Sequence, residues 1–165
     1  MQFQDKIEKQ PLEGIFKVEE ILPDGSTKVL VEDHNLIVNK ARTILRDMVA
    51  GDTTNKPIIK FKFGTKGVDS NGNVKSPTVN DTKLYETNSN LIYTKNADSI
   101  TKSGSYDVVF KVILSENEAN LNDGEYPISE AGLFNGKDEM FSHKTFTVIT
   151  KNNTRAFIFT WTIKF

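Results

Sequence analysis

The sequence predicts an all-β chain: an antiparallel two-sheet β-sandwich, jelly-roll-like, carrying one short amphipathic α-helix. Three observations predict it. Apolar residues alternate with a period of two in several segments, turn-forming residues punctuate those segments, and a single stretch has the i, i+3, i+4 spacing of a helix. At 165 residues the chain fits one domain, and a chain of that size buries roughly 70% of the surface its unfolded form exposes. The expected division is a polar N-terminal arm over 1–13, a β-hairpin over 14–33, and the helix with its sandwich over 34–165.

The elements follow in order. Gly14–Ile21 and Thr27–Glu32 flank Pro23-Asp24-Gly25-Ser26, where proline presets φ and glycine accepts a positive φ, so they read as a hairpin. Val38, Ala41, Ile44, Leu45, Met48 and Val49 form one apolar stripe between Asn39 and Ala50. Asn39 is the expected N-cap, and Gly51 stands where a left-handed residue ends a helix. About three turns are marginal alone, so the stripe has to pack on a sheet.

Next, Ile59, Phe61 and Phe63 oppose Lys60 and Lys62 in a strand over Ile58–Phe63. Lys66–Lys83 and Thr94–Ser105 are poor in large apolar residues and read as long loops or short edge strands, the places where a rigid scaffold makes contacts. In Tyr106–Ser115, Val108, Phe110, Val112 and Leu114 share one face, while Asp107, Val109, Lys111 and Ile113 share the other. That pattern predicts a central strand covered on both sides. Met140–Thr150 and Arg155–Phe165 flank the turn-rich Lys151-Asn152-Asn153-Thr154 and form a last hairpin. Its second strand places Phe157, Phe159, Trp161, Ile163 and Phe165 on one aromatic face, core-lining to the last residue.

Composition removes several function classes. Twenty-one Lys plus Arg against 22 Asp plus Glu give a formal net charge of −1, so no global field draws the chain to nucleic acid or to an acidic membrane, and neither partner is expected. There is no cysteine, which excludes disulfides, thiolate metal sites and a cysteine nucleophile. The N-terminus MQFQDKIEKQPLEG lacks the apolar stretch of a secretory signal, and no window approaches the ~20 apolar residues of a membrane span.

The residues that could carry chemistry are few. His34 and His143 are the two imidazoles, there is no GxSxG elbow, and Ser142 would face away from its neighbour His143 on a strand; no catalytic residue is expected. Glu19-Glu20, Glu32-Asp33 and Asp138-Glu139 are adjacent pairs, which a strand sends to opposite faces. Glu130 stands apart because it lies in an apolar run, where a buried carboxylate needs a cation or backbone donors to offset its desolvation. Asp69-Ser70-Asn71-Gly72-Asn73 and Asn120-Leu121-Asn122-Asp123-Gly124-Glu125 put oxygen ligands near a glycine, but neither has the alternating spacing of a calcium loop, and both read as turns. Phosphate-cradling glycine patterns are missing, so neither metal nor cofactor is expected.

Several pieces occur in a telling order. HNLIVNKARTILRDMVAG (His34–Gly51) precedes IKFKFGTKG (Ile59–Gly67), a small-polar loop with Thr82-Lys83-Leu84, VVFKVILSENEAN (Val108–Asn120), and ISEAGLF (Ile128–Phe134) with a final WTI-bearing strand. This order resembles the small β domain of phage tail-collar fibre and related tail structural proteins, over roughly residues 34–165. The resemblance implies a non-enzymatic structural subunit of a virion, in the tail, collar or baseplate. Its partners would be other virion proteins and further copies of itself. Because the chain carries no long repetitive shaft, it would be an adaptor or fibre-attachment protein, and its arm a segment lent to a neighbour. The structural motif comprises Ile128, Glu130, Gly132, Leu133, Phe134 and Trp161. Ile128, Leu133 and Phe134 would bury, and Gly132 would permit a corner between sheets. Two other classes are a carbohydrate-binding module that reads a host surface glycan through Tyr85 or Tyr93, and a wall-degrading hydrolase, which needs two carboxylates about 5–9.5 Å apart.

Overall fold

A computed structural model describes residues 11–121 and 123–165. Nine strands and one helix follow in order: β1 (Glu13–Ile21), β2 (Thr27–Ile37), α1 (Asn39–Val49), β3 (Ile58–Gly64), β4 (Tyr93–Asn96), β5 (Ser99–Ser103), β6 (Asp107–Leu114), β7 (Glu125–Asn135), β8 (Met140–Asn152) and β9 (Ala156–Lys164). The expected arm lies outside the described residues over 1–10. The fold is mostly antiparallel β with one helix. Hydrogen bonding runs continuously through one nine-stranded sheet in the order β4-β3-β7-β8-β2-β1-β9-β6-β5.

Strand β2 joins the two halves of this sheet. Its first part pairs with β1, from Thr27↔Ile21 to Asn35↔Gly14, and its end pairs with β8 through Leu36↔His143 and Ile37↔Ser142. Consecutive β4 and β5 lie at opposite ends of the strand order, with only Ala97 and Asp98 between them. The Ala97 amide donates to the Ile59 carbonyl of β3 and the Asp98 amide to the Lys111 carbonyl of β6, each at 2.8 Å. The sheet is therefore curled until its two edges are one dipeptide apart, and the short strands at those edges limit the exposed pairing surface.

The curl sets aromatic rings of distant strands against one another. Phe61 of β3 meets Trp161 of β9 at 5.9 Å between centroids, Phe63 meets Phe159 at 4.7 Å, and Phe16 of β1 meets Phe146 of β8 at 5.4 Å. All six rings are buried. Burying each such side chain is worth roughly 1.5–3 kcal/mol. Helix α1 contributes Ala41 and Ile44 to the same core.

Four expectations are corrected. Val38, not Asn39, is the N-cap, and no side-chain hydrogen bond caps the helix. Asn39 is instead the first helical residue; its amide donates to the Val79 carbonyl at 2.7 Å and its Nδ2 to Asn80 Oδ1 at 3.0 Å. Gly51 does adopt φ +88° as expected of a helix stop. Strand β6 is covered on one face only: Phe110, Val112 and Leu114 are buried while Lys111 and Ile113 are exposed. The last strand stops one residue short of the end, leaving Phe165 half exposed. Finally, ISEAGLF is not a corner. It is the middle of β7, flanked by β3 and β8, and buried on both faces.

Both faces of β7 are buried because residues 65–92, between β3 and β4, cross its outer side. The Gly67 amide donates to Ser129 Oγ at 3.0 Å, Thr145 Oγ1 to the Lys75 carbonyl at 2.6 Å, and the single proton of the buried Tyr126 hydroxyl is shared between the Leu91 and Phe63 carbonyls, 2.7 and 2.6 Å away. Most of this segment is loop, as expected; its only pairing among the described residues is the bridge Val68↔Val74. The Thr94–Ser105 stretch contains the edge strands β4 and β5.

Candidate functional site

A register shift between Ile128 and Glu130 builds the site. In an unbroken strand these two residues share a face. The bulge at Ser129 separates them, so that Ile128 joins the aromatic core while Glu130 turns under the 65–92 segment. On that outer face Glu130 and His143 meet across β7 and β8, and residues 81–86 close over them.

Glu130 and His143 are wholly buried. His143 Nε2 lies 3.0 Å from Glu130 Oε2, and its Nδ1 lies 2.8 Å from Asp81 Oδ2. Glu130 accepts two further bonds, from the Tyr85 amide at 2.8 Å and the Glu86 amide at 2.7 Å. The Tyr85 ring packs edge-on against His143 at 4.8 Å, and its hydroxyl lies 3.1 Å from both Asp81 Oδ2 and the Ser76 carbonyl. Thus the lone carboxylate in an apolar run has the backbone donors that its burial requires, with an imidazole nitrogen as a third partner.

The network holds its protons firmly. Burial alone would raise the Asp81 carboxyl, but hydrogen bonds from Thr78, His143 and Tyr85 keep it below its ordinary value. Burial and the Asp81 carboxylate push the Tyr85 phenol up to about 12. A neutral imidazole has one N–H and a carboxylate has none, so both His143 bonds form together only with one additional proton on the triad. Neither ring nitrogen is free to take a proton from a nucleophile. What the arrangement does is fasten backbone: residues 81–86 are bound to β7 and β8 through charge-assisted hydrogen bonds.

A second carboxylate, Glu86, completes the fastening. Burial raises its carboxyl, yet the Thr65 hydroxyl and the Asn88 and Thr87 amides, at 2.9 and 3.0 Å, hold it below its usual range. Gly64 and Gly67 make the approach possible. A Cβ at Gly64 would sit 2.6 Å from Glu130 Oε1, and one at Gly67 would sit 1.9 Å from the Ser129 carbonyl oxygen.

The remaining motif residues divide between the two faces of β7. Leu133 and Ile128 belong to the main core with Trp161, while Phe134 packs with Val38, Leu84 and Met140 beneath the crossing segment. At Gly132 a Cβ would meet the Phe134 ring at 2.5 Å. Trp161 Nε1 is buried and has no hydrogen-bond partner among the described residues, a cost of about 1–3 kcal/mol absorbed by the ring's packing.

His143 has Glu130 and Asp81 as partners that its place on a strand beside Ser142 did not reveal. His34 is exposed, 3.9 Å from Glu13. Each adjacent carboxylate pair has at least one member engaged by a cation: Glu20 by Arg155, Asp33 by Lys144, Asp138 by Lys60 and Lys62, and Glu139 by Lys40 and Lys56. Asp69 Oδ1 accepts the Asn71 and Asn73 amides at 2.8 and 2.9 Å, which makes that run a closed turn.

Protein-family models, curated proteins and solved structures contain no match to this chain. The site is therefore defined by its geometry alone.

Sequence reasoning missed Asp81, Glu86 and Lys151, and singled out Tyr85 only as a possible glycan contact. Lys151 is fully buried on β8, and its Nζ donates to the carbonyls of Asn152 (2.7 Å) and Glu116 (3.2 Å) and to Asn120 Oδ1 at 3.0 Å. Burial lowers its pKa, against the pull of Glu116 and Glu118. It anchors the β6–β7 connection as the Glu130 network anchors the β3–β4 connection. Leu84-Tyr85 is an apolar pair in an otherwise polar stretch, and that was the available signal that residues 81–86 return to the core.

Proposed function

We propose that this chain is a non-enzymatic structural subunit of a bacteriophage virion, a tail, collar or baseplate adaptor or fibre-attachment protein. It acts through contacts with other virion proteins and with copies of itself. The supporting observation is that sequence pieces far apart in the tail-collar-like order meet in space. Gly64 and Gly67 of FGTKG lie against Ser129 and Glu130 of ISEAGLF, and Phe61 meets Trp161 of the last strand edge-on. Pieces that interlock in this way specify a scaffold. The use of both His143 nitrogens and of Glu130 to fasten backbone agrees with that role.

On this reading the two halves of the curled sheet act as the layers of a jelly-roll-like sandwich hinged at β2, presenting loops at their ends. The glycan-binding alternative draws less support, because the Tyr85 hydroxyl is engaged by Ser76 and Asp81 and Tyr93 packs against the core. An obligate assembly should bury upward of ~2,000 Å² in total. Sedimentation of the purified chain should show an oligomer, and electron microscopy of virions carrying a labelled copy should place it in the tail, collar or baseplate. A chain that stays monomeric at high concentration and is missing from purified virions would refute the proposal.

A further inference from the structure

The sequence contains two Asn-Gly pairs, Asn71-Gly72 and Asn135-Gly136, and the structure places them in opposite environments. We propose that Asn71 is a site of spontaneous covalent modification, deamidation through a cyclic imide, and that Asn135 is shielded from the same reaction.

The chemistry needs only the chain and water. The Gly72 backbone nitrogen, giving up its proton, bonds to Asn71 Cγ; the Cγ–Nδ2 bond breaks and ammonia leaves with that proton. Water then adds to one of the two imide carbonyls and opens the ring to aspartate or to isoaspartate, whose main chain runs through the side-chain carbonyl. Glycine on the C-terminal side speeds ring closure because no Cβ obstructs the attacking nitrogen. Ring closure also needs a side chain free to swing its Cγ onto that nitrogen.

Asn71 meets these requirements. It sits at the tip of the small turn closed by Val68↔Val74, with both residues of the pair exposed. Gly72 has φ +83° and nothing near its Cα that a side chain would meet. The Asn71 amide is held by Asp69 Oδ1, which fixes the main chain and leaves the side chain unrestrained among the described contacts. One brake is present: the Gly72 nitrogen donates to the Asp69 carbonyl at 3.0 Å.

Asn135 fails them. It is wholly buried. Its Nδ2 donates to Glu139 Oε2 at 2.8 Å, and its Oδ1 accepts the Lys137 and Glu139 amides at 3.0 and 2.9 Å. Both ends of the amide are clamped, so its carbon reaches the Gly136 nitrogen only after local opening. The product at Asn71 would place a new carboxylate two residues from Asp69 in a turn that Asp69 organises.

The test uses the full chain, incubated at mildly alkaline pH with and without urea and followed by peptide mapping with isoaspartate detection. In the native state Asn71 should convert at least about tenfold faster than Asn135, and in urea the two rates should converge, since only structure distinguishes two identical dipeptides. An Asn71→Gln variant should lose the native-state acidic product. Equal native rates at the two sites, or faster conversion at Asn135, would overturn the assignment. So would a native chain whose Asn71 stays intact while the urea-unfolded chain converts.

Discussion

Replacing Glu130 with glutamine changes almost no volume, so it isolates the electrostatic part of the site. Glu130 accepts three hydrogen bonds, with the Glu86 amide on Oε1 and the Tyr85 amide and His143 Nε2 on Oε2. A glutamine has one acceptor oxygen and one donor group. Whichever way the amide is turned, its NH2 faces a backbone N–H of Tyr85 or Glu86, and that donor is left buried and unpaired, costing about 1–3 kcal/mol. Losing the carboxylate's charge adds to this, since a hydrogen bond to a charged group is worth about 1.5–3 kcal/mol against about 1 kcal/mol for a neutral one. The expected destabilisation of Glu130→Gln is therefore about 2–4 kcal/mol, read as a lower urea midpoint at unchanged slope. Amide exchange at Tyr85 and Glu86 should rise more than exchange in β1 or β9, because the 65–92 segment opens first. A loss below about 0.5 kcal/mol, with both amides as protected as before, would show that the carboxylate does not hold the segment.

Three further perturbations test neighbouring parts of the same account. Gly67→Ala drives a Cβ to 1.9 Å from a backbone oxygen, and should cost about 3 kcal/mol or more, lowering the melting temperature by about 6–12 °C; an unchanged melt would mean the segment shifts without penalty. Asp81 and Glu86 are held below their ordinary values of 3.8 and 4.5, so the unfolded state binds those protons more tightly and their stabilisation is complete above about pH 5 and lost as pH falls below about 4. Urea midpoints should drop over that window, and Asp81→Asn should flatten the drop; parallel pH profiles would refute the assignment. Lys151→Ala leaves three carbonyl acceptors and a cavity, for an expected loss of about 2–4 kcal/mol in the same unfolding assay, and a neutral result would mean the β6–β7 connection is anchored elsewhere.

How far the sequence could be read follows from which interactions have a local signature. Alternation in Ala156–Lys164 directly records a strand with one buried face, and Phe157, Phe159 and Trp161 are buried as their spacing requires. The hairpin at Pro23–Ser26 and the stop at Gly51 were legible because turn chemistry depends on the residues that make the turn. Long-range pairing leaves no such mark. That β2 leaves β1 for β8 after Asn35, and that the two edges meet at Ala97-Asp98, depends on the path of the whole sheet. The helix start was misread for a related reason: Asn39 has the side chain of a cap, but tertiary bonds to Val79 and Asn80 take its polar groups into another role.

The site was half legible, and the missing half has a definite cause. A carboxylate in an apolar run signals that it needs partners, and Glu130 could be singled out on that ground. What hides those partners is the Ser129 bulge, which reverses the face on which Glu130 lies relative to Ile128. Unbroken alternation would put Ala131 and Leu133 inward with Ser129 and leave Ile128 outward beside Glu130; a single inserted residue lets Ile128 join the core while Glu130 keeps the face of His143. Asp81 carried no signal at all, since one aspartate in a polar loop resembles any other until the loop is laid across β8. The bulge, the two glycines that allow close approach and the buried triad thus all fasten the 65–92 segment. Deleting Ser129 would restore simple alternation with Ile128 inward and Glu130 still facing His143, so the triad should survive while the 65–92 segment loses the hydroxyl that accepts from the Gly67 amide.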